Sequence, residues 1–175
     1  DNGVFNDNNY INEELKQCSG KLLDAPNKIS KVATITACKL IPTWVMKEQQ
    51  FCLDLKSGDD VAYFTELFMK VPLKLKVISI SSQVIYYRYM RKDSLSRQTL
   101  SFDFNVKQRL DVISKLDELF IFADTQEKRS FLVDKIRSQF LFLNRYLKEN
   151  LDEKANIFNE IAKYNLSYLP FDVIN

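Results

Sequence analysis

Two adjacent carboxylates, Asp59 and Asp60, follow a Ser57-Gly58 turn and open an apolar stretch. A Tyr86-Tyr87-Arg88-Tyr89-Met90-Arg91-Lys92-Asp93-Ser94 segment comes about a helix and a strand later. A carboxylate at a helix start is held by backbone amides, and the glycine before it lets the chain turn sharply enough to aim it into a cleft. So placed, it can take a proton from a hydroxyl as a transition state develops. Arginine forks and serine hydroxyls in the later segment can hold diphosphate oxygens and stabilise charge on a leaving group. The same residues have plain structural uses. The two acids favour a helix N-terminus by about 0.3–1 kcal/mol each, with Ser57 as the cap, and residues 86–97 also read as an exposed strand with a solvated charged loop.

Composition narrows the chemistry. The chain has 175 residues, 46% of them hydrophobic, enough to bury the core of one domain, or of one domain with a helical annex. Histidine is absent, which removes the commonest general base, the commonest zinc ligand and the Ser-His and Cys-His nucleophile systems. Acid–base chemistry must then use Asp, Glu, Lys, Tyr or Cys. The net charge is only +2, so no global field holds a polyanion, and base stacking on Tyr86, Tyr87 and Tyr89 ranks last among the uses of that segment. Cys18, Cys38 and Cys52 are odd in number with no CxxC spacing; they are expected to be reduced thiols, Cys38 and Cys52 buried.

The elements that must position these groups follow from periodicity. Residues 1–29 are polar and turn-rich, with a short helix expected at 12–17 and little independent structure. The N-terminus lacks the basic and apolar segments of a signal peptide, and no apolar run approaches the ~18 residues that would span a bilayer. Residues 31–41 alternate and are β-branched, predicting a strand, and Pro42 then opens a helix over 43–50 that bears the only tryptophan, Trp44. A short edge strand or extended arm is expected at 51–56 and a helix at 59–70, with Val61, Phe64, Leu67 and Phe68 on one stripe. Residues 73–80 and 83–90 read as a strand pair or one kinked strand. From residue 102 the pattern turns helical: 105–122, 126–150 with Thr125 as cap, and 151–164. Only three glycines and four prolines occur, which argues against an all-β sandwich or barrel.

In this order and separation the segments Ala37-Cys38-Lys39-Leu40, Leu55-Lys56-Ser57-Gly58-Asp59-Asp60-Val61 and Val84-Ile85-Tyr86-Tyr87-Arg88-Tyr89-Met90-Arg91-Lys92-Asp93-Ser94-Leu95-Ser96 resemble the second half of a bacterial family 2 glycosyltransferase with the GT-A fold. In that family a Lys-Leu segment precedes a short helix, a Gly-Glu-Asp or Gly-Asp-Asp motif begins the next, and a Tyr-Tyr-Arg strand and a serine-bearing loop follow. The resemblance covers roughly a third of the chain directly. It implies transfer of a sugar from a nucleotide-diphosphate donor to a saccharide or lipid-linked acceptor in capsule or lipopolysaccharide assembly. By position, Asp60 would deprotonate the acceptor hydroxyl with Asp59 in support, Arg88, Arg91 and Ser94 would lie near the donor diphosphate, and Trp44 would line the acceptor side.

The family's opening buried strand and its Asp-x-Asp motif for Mg or Mn have no counterpart in the sequence. The expectation is therefore a C-terminal portion, or a partner of another chain, inactive alone, whose metal belongs to the complete enzyme. The expected architecture is α/β: a partial GT-A-like mixed sheet with flanking helices over 1–100, followed by an all-helical annex over 101–175. The expected setting is cytoplasmic, with peripheral contact at an inner membrane and oligomerisation through the annex both open, and without a nucleic-acid partner. A non-catalytic helical interaction or scaffold domain, in which the acidic pair is only a helix start, is the alternative.

Overall fold

The computed structural model describes residues 10–78, 86 and 101–170 in full, and the backbone of 4–6 and 88–90. In chain order the elements are β1 (Val4–Asn6), α1 (Tyr10–Gln17), β2 (Leu22–Leu23), α2 (Ser30–Ala33), α3 (Thr43–Met46), α4 (Asp59–Lys70), β3 (Leu75–Lys76), β4 (Arg88–Met90), α5 (Gln108–Asp117), α6 (Gln126–Glu149) and α7 (Lys154–Ile161). A π-helical turn, Asp103–Lys107, leads into α5, and a 3-10 turn, Glu118–Phe122, leaves it.

The helical C-terminal part is present as expected, but the GT-A-like mixed sheet is not. The fold is mostly helical, and the strands among the described residues form two separate antiparallel ribbons, β1 with β4 and β2 with β3. Residues 31–41 provide the clearest reason. Their β-branched alternation reads as a strand, yet Val32 and Ala33 are buried within α2. The Glu14 carboxylate, from α1, accepts hydrogen bonds from the Lys31 and Val32 amides, at 3.1 Å to Oε2 in each case, and so caps that turn. That cap and two buried apolar side chains outweigh a preference of about 1 kcal/mol. Among the described residues of 73–80 and 83–90 the two segments do not pair with each other: Leu75–Lys76 pairs with Leu22–Leu23 and Arg88–Met90 with Val4–Asn6, while 79–80, 83–85 and 87 lie outside the described residues.

The described part of the N-terminal stretch, residues 4–6 and 10–29, is therefore structured. Ile11 and Leu15 of α1 are buried, and the Asn12 side chain brackets the backbone of Tyr86, accepting from its amide at 2.9 Å and donating to its carbonyl at 3.2 Å. No strand forms at 51–56.

Helices α4, α5 and α6 make the centre. Leu67 of α4, Leu110 and Ile113 of α5, and Leu132, Ile136 and Phe140 of α6 are all essentially inaccessible and belong to one continuous core that also takes in Ile11, Val32 and Ile157. Thr125 caps α6 as expected, its hydroxyl accepting from the Lys128 amide at 3.2 Å. Helix α7 packs on this core through one face only. Ile157 and Ile161 face the core, and Phe158 is exposed. Asp117 of α5 fastens the tail beyond α7, accepting from the Ser167 and Tyr168 amides at 2.8 and 3.2 Å.

Candidate functional site

The turn before α4 is built by a glycine that no other residue replaces easily. Gly58 has φ +78°, and a Cβ there would meet Cγ2 of Val112 at 2.9 Å. The close approach seats the head of α4 against α5. Ser57, expected to cap the helix, does something else: its hydroxyl donates to Gln108 Oε1 at 3.1 Å and accepts from the Arg109 guanidinium. Gly58 is the cap residue, and it has no side chain to supply a cap hydrogen bond.

Arg109 organises this corner from α5. It is 5% exposed. Its guanidinium lies over the rings of Phe104 and Phe142, at 4.6 and 4.8 Å to their centroids, and donates to Phe104 O at 3.3 Å and Gln139 Oε1 at 3.2 Å. Stacking and neutral acceptors thus hold a buried cation that has no carboxylate in direct contact among the described residues. Burial lowers its pKa, while the nearby charge of Asp60 acts in the opposite direction.

Asp60 is half-buried in the first turn of α4. One carboxylate oxygen accepts from the Val61 amide at 2.8 Å. Burial raises its pKa above the usual aspartate value of 3.8, opposed by the Val61 hydrogen bond; the adjacent Asp59 raises it further, and Lys39 lowers it. Lys39 arrives from the loop after α2. Its ammonium donates to the carbonyls of Val32 at 3.0 Å, Ala37 at 3.2 Å and Ile35, and sits over the Phe64 ring at 4.6 Å. Burial pulls the Lys39 pKa down to about 8, against the opposing charges of Cys38 and Asp60. The Asp60 carboxylate, the fixed Lys39 ammonium and the Arg109 guanidinium therefore share one electrostatic corner.

Of the residues expected at a site, Asp59 and Asp60 stand together here. Trp44 is 61% exposed on α3, which docks on α4 where the Tyr63 hydroxyl donates to Met46 O at 3.4 Å. The backbone of Arg88 pairs with Asn6 in the β1–β4 ribbon, and Arg91 and Ser94 lie outside the described residues. Lys39 stood in the quoted Lys-Leu segment without a role, and Arg109 was not singled out. The signal for Arg109 was a lone arginine between Val106, Leu110 and Ile113 on an apolar helix face. The thiols differ from expectation as well: Cys18 is buried, Cys52 is intermediate, and Cys38 is exposed with φ +62°.

Among the described residues no group of three or more Cys, Asp or Glu side chains converges as a metal site. No helix among them is long and apolar enough to cross a membrane. Comparison with protein-family models, curated proteins and solved structures finds no match to this chain.

Proposed function

We propose that this chain supplies the acceptor side of a sugar-transferring enzyme, with Asp60 as the general base. The observation that carries this reading is the state of the Asp60 carboxylate: half-buried, with a raised pKa, anchored through one oxygen to the Val61 amide, and flanked by the positive charges of Lys39 and Arg109. A base for a hydroxyl works best when desolvation makes it more basic while a fixed scaffold keeps it aimed. Lys39 and Arg109 supply the scaffold's charge, since backbone carbonyls hold one and aromatic rings and neutral acceptors hold the other.

In this reading an acceptor hydroxyl attacks the anomeric carbon of a nucleotide-diphosphate sugar. The new carbon–oxygen bond forms as the bond to the diphosphate breaks, and the hydroxyl proton passes to Asp60. Asp59 supports the acceptor, and the exposed Trp44 offers an apolar face to a sugar ring. Arg88, Arg91 and Ser94 serve the departing diphosphate, and Mg or Mn belongs to the complete enzyme. The acceptor is a saccharide or lipid-linked saccharide of a bacterial surface polysaccharide, handled on the cytoplasmic side.

The second reading is a helical interaction domain. It is favoured by the way the same turn is engaged structurally, through Ser57, Gly58 and Arg109, and by the exposure of large apolar side chains such as Ile121 and Leu151. Titration of the isotopically labelled chain with a panel of oligosaccharide acceptors separates the two. Sugar transfer predicts saturable amide shifts at Gly58–Val61 together with the Trp44 indole signal. Absence of any such shift at millimolar acceptor leaves the interaction reading.

A further inference from the structure

A cavity of about 640 Å³ lies between α1, α2, α4 and the segment through β3. Its volume falls within the range of about 300–1,000 Å³ usual for small-molecule sites. Leu15 of α1, Val32 and Ala33 of α2, and Leu67 and Phe68 of α4 line it, and all five belong to the apolar core. The extended segment adds Leu73, Leu75 and Val77. The loop after α2 completes the wall, and its Cys38 and Leu40 are exposed to solvent, which marks that loop as the mouth.

The charged groups at its edge are turned away or held. Alternation along residues 73–77 sends the exposed Lys74 and Lys76 to the face opposite Leu73, Leu75 and Val77. There the Lys74 ammonium meets Asp24 at 3.5 Å and Lys76 donates to Gly20 O at 3.0 Å, and neither Asp24 nor Gly20 lines the cavity. The Lys39 ammonium is committed to the carbonyls of Val32, Ile35 and Ala37. No Asp or Glu is among the described residues that line the space. A charged ligand entering here gives up its water and meets no free group of opposite sign, whereas an uncharged apolar one takes hydrocarbon surface out of water on both sides. The Lys39 pKa, pulled down to about 8 by burial, reports the same penalty on charge at this wall.

From this arrangement we propose that the cavity binds one uncharged, mainly hydrocarbon molecule, which enters past Cys38 and Leu40 and rests on Val32, Ala33, Leu67 and Phe68. Apolar volume selects the hydrocarbon, and the lack of a free charge at the wall rejects head groups of either sign. Asp59 and Asp60 are not among the lining residues, so the site stands whether or not the carboxylate corner transfers sugar.

Calorimetric titration of the whole chain with decanol, decanoate and decyltrimethylammonium, each monomeric in solution, tests this. Decanol is expected to bind saturably at one site, and affinity is expected to rise by up to roughly fourfold per methylene from hexanol to decanol. Both charged analogues are expected to bind more weakly by roughly tenfold or more. Alkylation of Cys38 by iodoacetamide, followed by peptide mass spectrometry, is expected to slow at saturating decanol while that of Cys52, which does not line the cavity, keeps its rate. Ala33→Leu, which fills the chamber, is expected to abolish decanol binding, and Leu40→Ser, at an exposed position that leaves the fold intact, to weaken it. The proposal is overturned by an absence of saturable decanol binding, by a charged analogue that binds as tightly as decanol, or by Cys38 alkylation indifferent to decanol. Leu40→Ser with the parent's affinity overturns it too, as does a dimer that closes Cys38 to the reagent without decanol, since a second copy of the chain then fills the space.

Discussion

Asp60 is held where its charged form is disfavoured, and this has a consequence for stability that separates a working carboxylate from a structural one. Its pKa in the folded protein lies above the ordinary 3.8, so the folded state binds more protons than the unfolded chain over the window just above that value. Stability contributed by the protonated form is therefore lost as pH rises through the folded pKa. Replacing Asp60 by Asn removes the penalty. Thermal unfolding of Asp60→Asn at pH 7 is expected at or above the parent's midpoint, with the difference shrinking as pH falls towards 3.8; a marked loss at pH 7 would mean the carboxylate is a structural cap. The acidic pair was legible as a candidate because two acids after a glycine are a local signal. Arg109 was not, because its meaning depends on Phe142 and Gln139, thirty or more positions away on α6. The misjudged burial of Cys38 has a similar origin: its left-handed backbone is set by the loop that folds Lys39 back onto α2.

Helix α4 forms over the residues its apolar stripe predicted, and α6 does so to within a residue, because a 3.6-residue period sustained over three turns or more leaves little ambiguity. Short elements were misread where a non-local partner decides them. The α2 turn exists through Glu14 of α1, and β3 and β4 pair with strands more than fifty residues earlier. The head of α4 depends most on backbone geometry. Gly58→Ala places a Cβ on a left-handed backbone and within 2.9 Å of Val112, and is expected to cost about 1–3 kcal/mol. Chemical denaturation should show this as a lower midpoint with an unchanged slope. A midpoint equal to the parent's would mean that the turn is loosely held and does not fix Asp60.

For the molecule as a whole, the Asp60 corner stands at the head of α4, which packs into the continuous α4–α5–α6 core. The sheet expected to position it is replaced by helix packing, so the proposed chemistry rests on the carboxylate and its two cations alone. Its most direct test is sugar transfer by the complete enzyme from a nucleotide-diphosphate donor, comparing the parent with Asp60→Asn while acceptor affinity is measured separately. Removal of a general base is expected to lower turnover about 10²–10⁴-fold with acceptor affinity held within a few-fold. Turnover retained at the parent's level in Asp60→Asn would contradict the account.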